Sequence, residues 1–284
     1  MENFNYSVVI PYRDKYDMLV KAVMSIPDRD DIQIIIVDNS VKPMPPEKVP
    51  SKTKAKVVFT TSSPDKGAGC ARNVGLSYIN GRFVVFLDAD DYFTTNAFQS
   101  FDEYLNKEFD IVFFGADSIY LKDGSRSSRH EMISRYIQAY LNTGDEGPLR
   151  YRYVNPIAKM IRTDLIKTHN IRFEEVRVSN DAMFSVLTGH YAQKITACSN
   201  VVYMITEGER GTSLTQSRNA ENQFIRFQVS VRRFRFITSV GQKEYRPKLS
   251  GTLRLVLFQY GLKEFVKYIR YARDNEISVF SILF

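Results

Sequence analysis

Short runs of β-branched and apolar residues alternate with amphipathic helical stretches, and this alternation constrains the fold more than any other feature of the sequence. Tyr6–Ile10 is closed by Pro11, and Ile32–Val37 ends at Asp38. Between these runs, the apolar residues of Lys15–Ile26 fall on one helical stripe. A buried strand, a helix and a second buried strand therefore follow one another, which is typical of an α/β fold.

The alternation continues along the next hundred residues. Gly67-Ala-Gly precedes a helical stretch, and Gly81 is predicted to cap the C-terminus of that helix. The most apolar strand of the chain follows and stops abruptly at Asp88. Strands are predicted at 56–60, 83–87 and 110–114, and helices at 71–79 and 133–141.

Charge divides the chain into two parts. The 284 residues carry a net charge of +7. Residues 1–204 hold 25 Lys and Arg against 25 Asp and Glu, whereas residues 205–284 hold 14 against 7. Apolar residues recur at helical spacing in the basic tail. We therefore predict an α/β domain at 1–206 and a helical basic region at 207–284.

Composition and cysteine content limit the class of protein. Hydrophobic residues make up 44% and charged residues 25% of the chain, which is typical of globular proteins and excludes a disordered or fibrous chain. The two cysteines, Cys70 and Cys198, and the absence of a secretory pattern at residues 1–10 favour the cytoplasm. No apolar run reaches the roughly 18 residues of a membrane span.

Asp88-Ala89-Asp90-Asp91 is the strongest functional signal. Ligand sites of open α/β sheets lie outside the carboxyl ends of the strands, and carboxylates there bind Mg²⁺ or Mn²⁺ together with substrate phosphates. An acidic turn that caps the following helix explains the same residues. From this segment alone the two interpretations remain open.

Asp38 ends a neighbouring strand and is expected at the same edge of the sheet as Asp88. An acid in this position accepts hydrogen bonds from a base or a ribose in many nucleotide sites. The alternative is an Asx turn through Asp38-Asn39-Ser40.

Lys66, Gly67, Arg72 and Asn73 combine a glycine-containing loop, a helix start and two cations, which suits phosphate binding. The segment lacks the Lys-Ser or Lys-Thr of a Walker loop and the G-x-G-x-x-G of dinucleotide sites, so a kinase or an NAD enzyme is disfavoured. An ordinary turn is the simpler explanation of the glycines.

Together these segments resemble the inverting family-2 glycosyltransferases with the GT-A fold, in order and spacing as well as in residue type. The resemblance covers most of residues 6–100, through the segments 7–13, 34–40, 67–75 and 81–91. It implies a Rossmann-like mixed sheet flanked by helices, here with a helical basic C-terminal extension. The nucleotide-sugar half would be residues 1–100 and the acceptor half residues 101–206.

The resemblance also implies roles for individual residues. Pro11, Tyr12, Arg13 and Asp38 are expected to frame the nucleotide base. Asp88-Ala89-Asp90 looks like the DXD element, with Asp90 as the main ligand of Mn²⁺ or Mg²⁺ and Asp88 directed toward the nucleotide sugar or the metal.

Asp181 matches the catalytic base of the family, at a predicted helix start behind Ser179. Family members often have Glu before this Asp, and here Asn180 stands in its place. The resemblance favours the base, and the helix end is expected to keep the carboxylate ionised. Without it, a carboxylate that interacts with the helix dipole is the more frequent explanation.

Arg210 and Ser213 resemble the late Arg-x-x-Ser loop of the family, which approaches the diphosphate or the acceptor. A surface turn is the alternative. The expected reaction is transfer of a sugar from a nucleotide-diphosphate donor, with UDP the favoured nucleotide, to a glycan or lipid-linked acceptor in surface polysaccharide synthesis. A non-catalytic nucleotide-sugar or glycan-binding protein of the same fold is the competing hypothesis.

The basic tail mixes cations with aromatic residues, which suits contact with the anionic inner face of a membrane. The alternative is that its aromatic residues form the core of a helical subdomain or of an oligomer contact. Nucleic-acid binding is disfavoured because it leaves the acidic first half unexplained. The tail residues in question are Arg226, Arg232, Arg233, Arg235, Lys243, Arg246 and Lys248 with Phe224, Phe227, Phe234, Phe236, Phe265, Tyr268 and Phe280.

Overall fold

The structure is a computed structural model that describes residues 4–208 and 219–278. Its strands are β1 Tyr6–Tyr12, β2 Ile32–Asp38, β3 Lys56–Thr61, β4 Phe83–Phe86, β5 Tyr92–Phe93, β6 Ile111–Tyr120, β7 Lys159–Arg162 and β8 Ile195–Glu207. Its α-helices are α1 Tyr16–Met24, α2 Gly67–Leu76, α3 Ala97–Asp102, α4 Glu131–Thr143, α5 Thr163–Thr168, α6 Ala182–Tyr191, α7 Ala220–Ser239 and α8 Leu249–Asp274.

All eight strands form one mixed sheet in the order β3-β2-β1-β4-β7-β6-β8-β5. The first four strands of this order run parallel, whereas β7 is antiparallel to both β4 and β6. Every residue of β2 and β4 is buried, as expected for strands covered on both faces. The parallel order brings the carboxyl ends of β1, β2 and β4 to one edge of the sheet.

The C-terminal helices form a pair that packs against the α/β part of the chain. Phe227, Phe234 and Tyr268 lie in the core between α7 and α8, and Phe224 and Phe265 pack beside them. These aromatic residues therefore fill a helical core, as the second interpretation of the tail predicts. On its other side, α7 contacts α6 and the single π-helical turn at Pro148–Arg152.

Two local predictions were wrong, and one strand was missed. The helix predicted from residue 71 begins at Gly67, so the glycine-containing segment is its first turn, and it ends at Leu76. Gly81 does not cap it: a Cβ there would lie 2.5 Å from the backbone N of Ser7, so Gly81 permits close packing on β1. The long strand β8 was not predicted, although its pairing with β6 completes the sheet.

Candidate active site

The turn after β4 presents two of the predicted site carboxylates. The side chains of Asp88 and Asp90 are 34% and 46% exposed. Lys15 Nζ lies 3.5 Å from Asp90 Oδ2. The turn is closed by the backbone N–H of Asp91, which donates to the carbonyl oxygen of Asp88 at 2.9 Å. Asp88 and Asp90 thus face solvent at the carboxyl edge of the sheet.

The third carboxylate of this segment, Asp91, is buried and fastens the turn to β8. Tyr203 Oη donates to its Oδ2 at 2.8 Å, and the backbone N–H of Thr206 donates to its Oδ1 at 2.7 Å. The backbone N–H of Asp88 in turn donates to Tyr203 Oη at 3.0 Å. Burial, reinforced by the charges of Asp88 and Asp90, raises the pKa of Asp91 well above its ordinary value. Asp91 therefore positions the turn and does not face solvent with the other two.

Arg72 joins the turn to the N-terminal end of α6. Its guanidinium is buried, donates to Asp88 Oδ1 at 2.6 Å and donates to Asn180 Oδ1 at 2.9 Å. It also lies over the ring of Phe173, 5.4 Å from its centroid. Burial opposes the charge of Arg72, but the carboxylates of Asp88 and Asp181 outweigh this effect and raise its pKa. Asn180 thus accepts a hydrogen bond from Arg72 where family members often carry an acid.

Asp181 stands at the N-cap of α6, after Ser179 in the left-handed region at φ 58°. Its side chain does not cap the helix. Burial raises its pKa and Asp88 adds to the increase, while Arg72 and Lys159 oppose it. Burial thus outweighs the lowering of the pKa that the helix end was expected to provide. A raised pKa suits a general base, because it brings proton affinity closer to neutral pH.

Lys159 on β7 is a buried cation near Asp181 to which the sequence assigned no role. Its Nζ donates to the carbonyl oxygen of Tyr153 at 2.7 Å and lies over the rings of Phe113 and Tyr153. Burial lowers its pKa to about 7, against the attraction of Asp181. Only the fold reveals this pair, because the two residues lie on different elements.

The residues expected to frame the nucleotide base lie at the adjacent ends of β1 and β2. Tyr12 pairs with Asp38 in the register of the two strands, and Pro11 precedes Tyr12. Asp38 is buried and accepts from the backbone N–H groups of Ser40 at 2.8 Å and Met44 at 2.7 Å. This Asx turn orders the loop after β2. Arg13 is half exposed beside it.

The predicted phosphate segment is docked onto residues 173–177. Asn73 Nδ2 donates to the carbonyl oxygen of Phe173 at 2.9 Å, and the backbone N–H of Phe173 donates to Asn73 Oδ1 at 2.8 Å. Lys66 forms an exposed ion pair with Glu175 at 3.0 Å. Gly67 has φ 71° and lies against the backbone of the same segment. These residues connect the start of α2 to the segment that leads into α6.

The carboxylates at the turn fit a metal ion that substrate phosphates help to bind. Within residues 4–208 and 219–278, no group of three His, Cys, Asp or Glu side chains is arranged to hold a metal ion. Mg²⁺ usually needs only one or two protein carboxylates when a diphosphate supplies further oxygens. Asp88 and Asp90 provide two oxygen-bearing groups of this kind.

A family model described as glycosyl transferase family 2 matches residues 7–169, which is more than half of the chain. The chain belongs to glycosyltransferase family 2. This membership confirms the predicted family and the predicted class of transferase.

Two curated relatives match most of this family-2 chain. The minor teichoic acid biosynthesis protein GgaB of Bacillus subtilis (strain 168) is 27% identical over 234 residues, which cover 78% of this chain and 25% of the relative. The poly(ribitol-phosphate) β-N-acetylglucosaminyltransferase TarS of Staphylococcus aureus (strain MW2) is 23% identical over 230 residues, which cover 77% of this chain and 38% of the relative. The chain thus spans a quarter to two fifths of the length of these relatives.

Solved structures confirm the GT-A fold. The structure of residues 1–349 of S. aureus TarS in complex with UDP-GlcNAc has a TM-score of 0.58 and 19% identity, over 96% of this chain and 91% of that one. Mannosyltransferase PcManGT from Pyrobaculum calidifontis, in complex with GDP-Man and Mn²⁺, has a TM-score of 0.62 and 12% identity, over 98% and 83% of the two chains.

The family-2 motifs end before α7, yet two arginines of α7 contact residues that precede α6 in the chain. Arg232 forms an ion pair with Glu174, and Arg233 Nη2 donates to the carbonyl oxygen of Tyr151 at 3.2 Å. Both were noted from the sequence only as tail cations. Their position depends on the packing of α7 against α6, which no local pattern reports.

Two predicted site residues, Arg210 and Ser213, lie outside the described residues, as does Phe280 of the tail. In the part of the chain that the structure describes, no helix is long and apolar enough to cross a membrane. The domain boundary after residue 206 stays a prediction.

Proposed function

We propose that this chain is an inverting, metal-dependent glycosyltransferase that moves a sugar from a UDP-sugar to a hydroxyl group of a glycan or lipid-linked acceptor in surface polymer synthesis. The observation that carries the proposal is the bridge through Arg72, which joins the carboxylates at the turn after β4 to the N-terminal end of α6. This bridge supports a site for the donor diphosphate beside a candidate base.

The acceptor hydroxyl oxygen attacks the anomeric carbon of the donor as the bond from that carbon to the diphosphate oxygen breaks. The bonding electrons leave with the diphosphate, and the hydroxyl proton passes to a carboxylate oxygen of Asp181. Attack from the side opposite the leaving group inverts the anomeric configuration. The raised pKa of Asp181 supports its assignment as the base.

Asp90, with Asp88, would hold Mn²⁺ or Mg²⁺, which offsets the negative charge that grows on the leaving diphosphate. Asp88 is itself fixed by Arg72, so Asp90 is the less constrained ligand. In the proposal, the ends of β1 and β2 with Pro11, Tyr12, Arg13 and Asp38 receive the nucleotide base, and Lys66, Gly67, Arg72 and Asn73 border the diphosphate.

The donor and acceptor assignments draw on what the relatives' names say of those proteins. TarS is solved with UDP-GlcNAc and is named for poly(ribitol-phosphate), and GgaB is named for teichoic acid synthesis. The TarS complex supports a UDP-sugar donor, and both names support a surface polymer as the product. The free cysteines Cys70 and Cys198 agree with the proposed cytoplasmic location.

A thermal-shift screen tests the proposal. UDP-, GDP- and dTDP-sugars are added with Mn²⁺ or with EDTA, because a ligand at about 100 times its Kd stabilises the folded state by about 2.7 kcal/mol. A UDP-sugar is expected to raise the Tm most, and only with the metal. The absence of any metal-dependent shift with every nucleotide sugar would exclude the proposed donor site.

We also propose that α8 contacts an anionic membrane surface at the cytoplasmic face. Phe258 is 81% exposed and Leu262 is 67% exposed, and the cations Arg254 and Lys263 are exposed beside them. Apolar side chains enter the headgroup region while cations are attracted to anionic lipid. In a flotation assay, the wild type is expected to float with anionic liposomes. The double variant Phe258→Ser with Leu262→Ser is expected to remain in the bottom fraction. Equal flotation with neutral and anionic liposomes would contradict this contact.

A further inference from the structure

Arg233 differs from the arginines beside it on α7 in its lack of an acidic partner. Arg232 is paired with Glu174, and Arg235 Nη2 lies 2.8 Å from an Oε2 atom of Glu276. Within residues 4–208 and 219–278, no carboxylate oxygen lies within 4.0 Å of a guanidinium nitrogen of Arg233. Arg233 is therefore the arginine of this group that keeps an uncompensated charge.

The hydrogen bonds of Arg233 are also incomplete. Its Nη2 donates to the carbonyl oxygen of Tyr151, but its Nε is buried and has no hydrogen-bond partner among the described residues. A guanidinium has five N–H donors, and a buried charged group that lacks partners is unfavourable. Burial lowers the pKa of Arg233, and the attraction of Asp181 opposes that effect. An anion near Asp181 would supply the missing partner.

Lys159 places a second unpaired cation in the same region. It is buried, and its Nζ bonds to a backbone carbonyl group, with no ion-pair partner in the described parts of the chain. The positive charge of Arg72, by contrast, is neutralised directly by the carboxylate of Asp88. Lys159, with a pKa lowered to about 7, is only partly charged at neutral pH, so Arg233 supplies the constant positive charge on this side of Asp181.

We propose that Arg233, supported by the charge of Lys159, forms an anion subsite next to Asp181 that binds a phosphate group of the acceptor. The inference rests on the proposed function, since it takes Asp181 as the base that contacts the acceptor hydroxyl. The phosphate then lies near the hydroxyl that attacks the donor. A guanidinium recognises phosphate through paired N–H bonds, which an ammonium group does not reproduce.

The position of Arg233 assigns this phosphate to the acceptor and not to the donor. Arg233 projects from α7 onto the π-helical turn at Pro148–Arg152, in the acceptor half. The donor diphosphate is assigned to Asp88 and Asp90, which Arg72 joins to Asn180 at the start of α6, whereas Arg233 contacts the backbone of Tyr151. A polyol phosphate polymer and a sugar attached to a lipid diphosphate both offer the required group.

Isothermal titration tests the subsite with the donor site filled by UDP and Mn²⁺. One arm compares ribitol 5-phosphate with ribitol, and the other compares an alkyl diphosphate of N-acetylglucosamine with N-acetylglucosamine itself. The phosphate compound is expected to bind more tightly than its neutral twin in the arm that matches the acceptor. Arg233→Gln is expected to weaken its binding about 10- to 100-fold, whereas the matched control Arg235→Gln leaves it unchanged.

Two further variants separate phosphate recognition from a structural role. Asp181→Asn is expected to tighten phosphate binding, because it removes the nearest negative charge. Arg233→Lys keeps the positive charge but loses the paired N–H groups of the guanidinium. Its affinity for the phosphate compound is therefore expected to lie between those of the wild type and Arg233→Gln. If Arg233→Gln does not fold, as its UDP affinity will show, these two variants decide the question.

The proposal of a subsite is overturned if neither phosphate compound binds more tightly than its neutral counterpart. It is also overturned if Arg233→Gln and Arg235→Gln bind the phosphate compound equally well. If the wild type does not bind UDP at all, that result contradicts the proposed function and not the subsite. The phosphate comparison is then made without nucleotide, and it still decides the role of Arg233.

Discussion

The turn at residues 88–91 and the start of α6 both present carboxylates toward the bridge formed by Arg72, but they are built in different ways. At the turn, all the acids come from four consecutive residues, and one of them, Asp91, is buried to hold the other two. At α6, one carboxylate, Asp181, is surrounded by cations from three separate elements. The residues of the first region are contiguous in the sequence, whereas those of the second are brought together only by the packing of separate elements.

The largest expected effect concerns the second region. Asp181→Asn keeps a similar shape but cannot accept a proton, so sugar transfer is expected to fall about 10²–10⁴-fold while UDP binding is retained. Transfer is measured as UDP release in the presence of acceptor. Asp164→Asn, an exposed acid in the first turn of α5, is the matched control. Near-normal transfer by Asp181→Asn would show that Asp181 is not the base and only interacts with the helix end.

The next comparison separates two neighbouring acids of the turn. Asp91→Ala leaves the hydrogen-bond donors from Tyr203 and Thr206 without an acceptor, and we expect it to lower the free energy of unfolding by about 1–3 kcal/mol. Asp90→Ala is expected to change it by less than about 0.5 kcal/mol, because that side chain is exposed. Urea denaturation measures both. Equal losses of stability would show that the two acids do not have separate roles.

The pH dependence of transfer sharpens the account of Asp181. Its pKa is raised by burial, so it loses its proton at a higher pH than an ordinary aspartate does. The base must be deprotonated, and transfer at saturating donor is therefore expected to rise with pH through the raised pKa and then level off. A profile already flat from the ordinary carboxyl range upward would contradict a raised pKa in the complex.

Much of the first region could be predicted from the sequence. The apolar runs of β1, β2 and β4 and the acids that end β2 and β4 mark one edge of the sheet, because strand ends are local features. The sequence did not reveal that Asp91 turns inward. Which side of a turn a carboxylate occupies depends on Tyr203 and Thr206, more than a hundred residues away.

The second region was predicted less completely, for physical reasons. Asp181 was found through a family resemblance, but the direction of its pKa shift was wrong because burial outweighs the helix end. The buried position of Lys159 and the contact of Arg233 with Tyr151 follow from long-range packing. A cation in a strand or a basic tail otherwise indicates an exposed face.

Calorimetric titration of UDP into wild type, Asp90→Ala and Asp181→Asn, each with Mn²⁺ and with EDTA, separates the metal site from the base. Mn²⁺ is expected to strengthen UDP binding by the wild type and by Asp181→Asn. Asp90→Ala is expected to bind UDP equally in Mn²⁺ and in EDTA, since the turn then lacks its main metal ligand. UDP affinity that is as high in EDTA as in Mn²⁺ for the wild type and for Asp181→Asn would contradict the division into a metal-dependent donor region and a separate base.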